Sequence, residues 1–406
     1  MLPRSRSHGS FLFFLWVAVS SAALVVAVGC ARRPIGAVSG QGDAGVDASP
    51  TDDAAVDAAT DSGVDAASGC VVPEDLVEIH DFDEPAFVMA TDTLPNGDYI
   101  VSGAHGWQDL VGHLWHLDAD TLATKADRSV AGEMVYAAAS PAGDAALVVR
   151  EDDNTLFFGR YPLDETGFTG PVVESFLCND CFPAWQSPVV SPALDAPVLA
   201  VAAELFNEDL VAVYFVDTQA GTVTYEFTQP GETPSLTRGP QGPVLFFLSG
   251  QEVLRWKMTW GGDTLEQTEP LDVGPLWHLV TAWSSLEGVD YVGVLQEPLE
   301  DQAPTLLFVR WETDGTVTTL ATFEDTLYYG IEADMVSDGH TLGVSWGETF
   351  GQGRVGAHFL SLGLEEPEVL LGDTLVSPPL SRSSTSHTIW STVSPHPMGY
   401  AVIWAG

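Results

Sequence analysis

An all-β fold is predicted by three observations on the chain beyond residue 70. Apolar residues there come in short runs rich in Val, Leu, Phe, Tyr and Trp, and Gly, Pro, Asp and Asn break those runs. No stretch sustains helical apolar spacing beyond about two turns. Strands of about four to eight residues are the reading consistent with all three.

A period emerges when the turns are aligned. Pro95-Asn96-Gly97-Asp98 precedes the apolar run Tyr99-Ile100-Val101, and Ser140-Pro141-Ala142-Gly143-Asp144 precedes Ala145 to Val149. Further copies are Ser191-Pro192-Ala193-Leu194-Asp195, Gly239-Pro240-Gln241-Gly242, Glu287-Gly288, Ser337-Asp338-Gly339 and Ser394-Pro395. Most intervals lie between 45 and 52 residues. A second turn keeps the same beat, with Gly221-Thr222-Val223-Thr224 echoed by Gly315-Thr316-Val317-Thr318, and Gly262-Asp263-Thr264-Leu265 between them. Each unit thus has room for four strands, and a four-strand unit of this length is the mark of a β-propeller blade. Seven repeats predict seven four-stranded blades over residues 71–406. A pair of β-sandwiches is the alternative, and it predicts no common register. Leu76-Val77-Glu78-Ile79-His80 is placed to act as an outer strand, closing the ring by pairing the two ends and leaving no open edge.

The Ser-Pro-x-Gly-Asp turns resemble those of the TolB-type propeller repeats, one turn per repeat. The Trp-Asp dipeptide of WD40 blades and the Asp-box of sialidases are both absent.

Residues 1–29 read as a signal peptide. Arg4 and Arg6 precede an uncharged apolar run from Phe11 to Gly29, and a small residue stands before Cys30. Val28-Gly29-Cys30 resembles the lipobox of bacterial lipoproteins, with Ala27 where Leu is usual. The resemblance implies that the Cys30 thiol is acylated and becomes the new N-terminus. It also implies outer-membrane delivery, on the periplasmic or surface face, because Ala31 rather than Asp follows the cysteine. The other reading is an uncleaved transmembrane anchor, since the run is long enough to span a bilayer and Arg32 and Arg33 would hold its far end in the cytoplasm. Both export everything after residue 30.

Residues 30–70 form a tether. Between Ser39 and Gly69 there are seven Asp, no basic residue and no aromatic one. Such a segment cannot bury enough apolar surface to offset its conformational entropy, so it is expected to be disordered. As a coil, about 40 residues reach on the order of 35 Å. Tracts of this Asp-Ala-Gly-Val kind resemble the spacers of myxobacterial lipoproteins.

The formal net charge is −43, from 14 basic and 57 acidic residues. A field of that sign repels nucleic acid and anionic lipid heads and attracts cations or basic partners. No loop matches an EF-hand pattern. Once Cys30 is set aside, Cys70, Cys178 and Cys181 remain. Cys178-Asn179-Asp180-Cys181 sits between strand-like runs, not in the strand-turn-helix setting of a redox motif. A structural disulfide is expected, either 178–181 or Cys70 bonded to one of that pair.

Searching for chemistry gives little. There is no G-x-S-x-G or H-E-x-x-H motif. His113 and His116 are three apart, which on a strand points them to opposite faces. The Trp and Phe residues are expected to fill the spaces between blades. By the repeat alignment the innermost strands carry Glu133, His278, Glu332, Asp334 and His387. These could hold a metal or do acid–base work, but in so acidic a chain solvated channel-mouth residues are the plainer reading. No cofactor or metal is expected, nor any catalytic residue. The expectation is a membrane-anchored extracytoplasmic binding or scaffolding module with a protein or glycan partner; the alternative is a hydrolase or lyase acting on a sugar or polymer in the channel.

Overall fold

The computed structural model describes residues 86–106, 110–184, 186, 188–205, 208–267, 270–271, 276–285, 287–296, 305–324, 333–348, 356–364, 369–376, 390–396 and 399–405, with the backbone of strands at 21–30, 70–71 and 77–82. The tether between residues 31 and 69 lies outside the described residues.

Every described element is a strand or a turn, and all the pairings are antiparallel between neighbours in a sheet. Six blades are each built from consecutive strands. Blade 1 runs from Ala86–Thr93 to Thr124–Val130, blade 2 from Met134–Ala139 to Val173–Asn179, and blade 3 from Cys181–Pro183 to Thr222–Pro230. Blade 4 runs from Glu232–Arg238 to Thr264–Gln267, blade 5 from Leu276–Ser284 to Val317–Glu324, and blade 6 from Ala333–Ser337 to Val369–Leu375.

A further sheet joins the two ends of the chain and packs between blade 6 and blade 1. Trp390–His396 and Gly399–Ala405 supply its first two strands. The seven uniform blades expected from the repeat are therefore corrected to six sequence-contiguous blades and this closing sheet. The physical reason is that the last repeat supplies two strands of its own, so the other positions are filled from the N-terminal part. A second correction concerns which segment meets the C-terminal strand. Val77–Phe82 is the outer strand, but it pairs with Ser21–Cys30, which lies between it and Gly399–Ala405. Ala23 to Gly29 pair with Ala405 to Gly399 over seven consecutive positions. At the far end of that strand Cys30 stands opposite Cys70.

The repeat turns of blades 1, 2 and 5 share one geometry, a glycine N–H donating to the carbonyl three residues before it. In blade 1 the Gly97 N–H donates to Leu94 O at 2.8 Å, and in blade 2 the Gly143 N–H donates to Ser140 O at 2.8 Å. Gly97 has φ of 92° and Gly143 of 74°, a region that favours residues without a Cβ. This is why glycine recurs there.

Packing follows from blade stacking. Middle strands are buried on both faces, as in Tyr99–His105 and Gly356–Gly363, because each sheet has a neighbour on either side. Outer strands such as Thr124–Val130 and Thr264–Gln267 are largely exposed. The apolar core is a ring of clusters at the blade interfaces. One, between blades 2 and 3, holds Tyr136, Phe158 and Tyr214; another, between blades 5 and 6, holds Phe308 and Trp346. Tyr99 and Trp115 of blade 1 pack on Ala401 and Ile403 of the closing sheet. Large aromatics thus fill the wedge between radiating sheets, each contributing roughly 2–3 kcal/mol on burial.

Cys178 and Cys181 are joined in a disulfide. It pins the crossover between the last strand of blade 2 and the first of blade 3, where Asp180 adopts a φ of 52°.

Candidate functional site: the channel cavity

The first strand of blade 3 is interrupted. Cys181–Pro183 and Val189–Val190 both pair with Val198–Leu205, and the Ala184 N–H donates to Ala202 O at 2.9 Å before the pairing is interrupted. Pro183 and Pro188 flank this break, and neither can donate a ladder hydrogen bond. The break carries Gln186 inward. Its Oε1 accepts the Ala282 N–H of blade 5 at 2.8 Å and the Ser235 hydroxyl of blade 4. Its Nε2 reaches Asp334 Oδ1 of blade 6 at 3.4 Å. One side chain of blade 3 therefore touches three other blades.

Around it lies a cavity of about 730 Å³, lined by inner-strand residues of all six blades and of the closing sheet. Among the described residues two carboxylates line it, and both also tie neighbouring sheets together. Asp92 Oδ2 of blade 1 accepts the Ala139 N–H of blade 2 at 2.8 Å. Asp334 Oδ2 of blade 6 accepts the Val393 N–H at 3.0 Å and the Thr392 hydroxyl at 2.7 Å, both from the closing sheet. Burial raises the pKa of each above the usual 3.8, against the hydrogen bonds that pull it down; for Asp92 the negative charge of Asp334 adds to the rise. Their surfaces remain partly accessible because they face the cavity, yet protein encloses them on every other side. Arg238 also lines the cavity, and its charge lowers the Asp92 pKa.

Ser284 and Ser391 are among the hydroxyl-bearing residues of the wall, with Thr91, Thr93, Ser140, Thr237 and Ser337, but the oxygens of Ser284 and Ser391 are buried and not presented to the cavity. Ser284 is 2 % exposed and Ser391 is 7 % exposed. Neither hydroxyl has a hydrogen-bond partner among the described residues. Trp283 lines the same cavity, tilted against Tyr291 at 5.8 Å between ring centroids.

Of the five residues singled out from the sequence, Asp334 lines this cavity. Glu133 does not: it precedes the inner strand of blade 2, at the opposite end from Ala139 and Ser140, and its N–H donates to Glu151 O at 2.7 Å. Glu332 and His387 lie outside the described residues, as does the His278 side chain. His113 and His116 point to opposite faces of their strand. His116 Nε2 lies 2.8 Å from Asp98 Oδ2, while the His113 ring stacks 5.4 Å from Trp115. Among the described residues no group of three or more His, Cys, Asp or Glu is placed to hold a metal ion.

Sequence reading missed Asp92, Gln186, Arg238, Ser284 and Ser391. Asp92 carried a signal, being an acid that interrupts an apolar inner strand just before the first repeat turn. Gln186 carried a weaker one, the paired prolines about it.

No protein-family model and no curated protein matches the sequence. Solved structures do match in shape. A Lactobacillus plantarum protein is 13 % identical with a TM-score of 0.50, covering 88 % of this chain and 97 % of its own. A putative 6-phosphogluconolactonase from Bacteroides uniformis is 12 % identical at 0.50, covering 89 % and 98 %. The Dos1 propeller is 10 % identical at 0.50, covering 79 % and 78 %. Identities this low establish the fold alone. The chain is a β-propeller protein.

Proposed function

We propose that this chain is an exported, lipid-anchored propeller that binds its ligand or partner at the channel and does no chemistry on it. The observation that carries the binding reading is the partly open cavity shared by all six blades and the closing sheet, lined by Asp92, Asp334 and Arg238. Concave sites with a few convergent polar groups on a largely apolar wall are where small ligands bind. The anchoring part rests on the Gly29-Cys30 junction and the acidic tether, which together would let the body search for partners near a membrane.

Processing before Cys30 would remove nine of the ten residues of strand Ser21–Cys30. In the mature lipoprotein the position between Gly399–Ala405 and Val77–Phe82 would then have to be refilled or closed. In an unprocessed chain it is filled as described.

A catalytic reading finds one observation in its favour: Asp92 and Asp334 are two carboxyls of raised pKa on one cavity, the raw material of acid–base hydrolysis. A single experiment separates the two. Full-length protein and a channel-blocked Val336→Trp variant, at a part-exposed residue of the cavity wall, matched for folding by circular dichroism, are cross-linked in membranes and also assayed against glycoside and ester substrates. Channel-dependent capture without turnover supports binding. Turnover lost on Asp334→Asn would replace it with the hydrolase, and capture indifferent to the block would overturn the channel as the site.

A further inference from the structure

We infer that the channel cavity takes an uncharged saccharide, laid against its apolar wall and hydrogen-bonded by Asp92, Asp334 and Gln186. This rests on the reading of the channel as a binding site and specifies its ligand.

Three polar side chains are fixed at the cavity by their protein partners. Asp92 is held at both oxygens, by the Thr93 N–H at 2.8 Å and the Ala139 N–H at 2.8 Å. Asp334 is held at Oδ2 by Thr392 and Val393, and at Oδ1 by Gln186. Gln186 Oε1 takes two donors, which fixes its amide so that Nε2 is the end beside Asp334. One of the two Nε2 hydrogens is directed to Asp334, and the other has no acceptor among the described residues. Asp92 carries one donor at each oxygen and Asp334 one at Oδ1, so each keeps a lone pair for a ligand hydroxyl. Burial favours the neutral form of both carboxyls, which donates as well as accepts.

These groups come from blades 1, 6 and 3, and all three are part-exposed on the cavity. The wall between them is apolar, with Val189, Trp283 and Val336 part-exposed on it from blades 3, 5 and 6. A sugar ring matches this arrangement, with hydroxyls around its rim that donate and accept and C–H groups on its faces. An anion would meet both Asp and the field of a chain of net charge −43. A cation would require ionised carboxyls, which burial opposes. A hydrocarbon chain would leave Asp92, Asp334 and Gln186 facing carbon, at a desolvation cost. An extended peptide carries its amide groups along a line, whereas the polar groups here approach from several sides. The volume of about 730 Å³ lies in the range that encloses a drug-sized ligand, and a disaccharide is of that size.

The test is titration calorimetry on the full chain, solubilised in a detergent without a sugar head group. Maltose, cellobiose and lactose are compared with spermidine, acetate and N-acetyl-L-alanine methylamide. At least one disaccharide is expected to bind, and the other probes to bind at least about 10-fold more weakly. Raising the salt to about 0.5 M should leave the disaccharide affinity unchanged, because the ligand carries no charge to screen. Asp334→Ala should weaken it by roughly 10–100-fold, the cost of a lost hydrogen bond in a buried site. Should that variant fail to fold, Val336→Trp, at a part-exposed position of the wall, should abolish binding by filling the cavity. Tighter binding of spermidine, acetate or the blocked amino acid than of every disaccharide overturns the saccharide while leaving a channel-binding module. Disaccharide binding that survives Val336→Trp places the sugar elsewhere and overturns it as well. Absence of binding for the whole set also overturns it, and channel-dependent capture in the membrane cross-linking then decides whether the binding module survives.

Discussion

Gln186 of blade 3 accepts the backbone N–H of Ala282, two blades away, at 2.8 Å. Ring closure in this propeller is therefore not only a matter of neighbour packing on neighbour; a side chain from an interrupted strand spans the axis. Gln186→Ala would leave the Ala282 amide and the Ser235 hydroxyl without their acceptor. The expected cost is about 1–3 kcal/mol, read from the midpoint of urea denaturation at unchanged m-value. An unchanged midpoint would show that water replaces the side chain and that the bridge adds nothing to stability.

Arg255 and Asp290 form an ion pair between blades 4 and 5, with Arg255 1 % exposed and Asp290 0 % exposed. The Arg255 guanidinium also lies over the Trp311 ring at 4.7 Å. Asp290→Ala removes the nearest counter-charge of a buried guanidinium, leaving the more distant Glu266 at 3.9 Å, and should cost about 3–5 kcal/mol. Replacing both, as in Arg255→Met with Asp290→Leu, should recover much of that loss. A double variant as unstable as the single one would mean the pair is irreplaceable by apolar packing.

The pH dependence of stability should have two opposed limbs. Asp98 is held below 3.8: burial alone would raise it, but hydrogen bonds from Lys125 and His116 outweigh that effect. Its contribution is present above the unfolded value and is lost as pH falls through the lowered one. Asp92 and Asp334 have the opposite sign. Their folded pKa values lie above 3.8, so the folded state binds more protons there, and stability falls as pH rises from 3.8 through the raised values. Asp334→Asn should reduce this upper limb, which Asp92, Glu151 and Glu204 share, and Asp98→Asn should reduce the acid limb, which Asp118, Asp164 and Asp314 share. Denaturation midpoints measured across the acid range would show it; an Asp334→Asn profile parallel to the wild type would contradict the assignment.

The Cys178–Cys181 disulfide closes a very short loop, so its effect through the unfolded state should be modest, about 2 kcal/mol. Thermal unfolding of the Cys178→Ser, Cys181→Ser double variant checks this. A loss well above that would indicate that the bond also fixes the crossover into the interrupted strand that carries Gln186.

The turns were legible because their chemistry is local: a glycine at positive φ and a proline at a fixed φ mark the same corner in successive repeats, as at Gly97 and Gly143. Strand content followed from the apolar runs between them. The closing sheet was legible in part: its outer strand at Val77–Phe82 and the joining of the two ends were expected, but the strand Ser21–Cys30 between them was not. Ser21–Cys30 is an apolar, Val-rich run with no polar alternation, and that composition serves a leader as well as a strand buried on both faces. The cavity wall was only partly legible, because which end of an inner strand faces the cavity depends on the ring as a whole. Glu133 and Asp334 both follow from the alignment, yet only Asp334 stands at the cavity end.

The fate of Cys30 tests the anchored-module claim most directly. Intact-mass and peptide mass spectrometry of the mature protein from its own membrane fraction should show a chain that begins at Cys30 and carries acyl groups, two or more of which give stable attachment. Cys30→Ser should then abolish that modification. A chain that begins at Met1 with Cys30 unacylated would contradict the claim, and would leave Ser21–Cys30 as a permanent strand of the closing sheet.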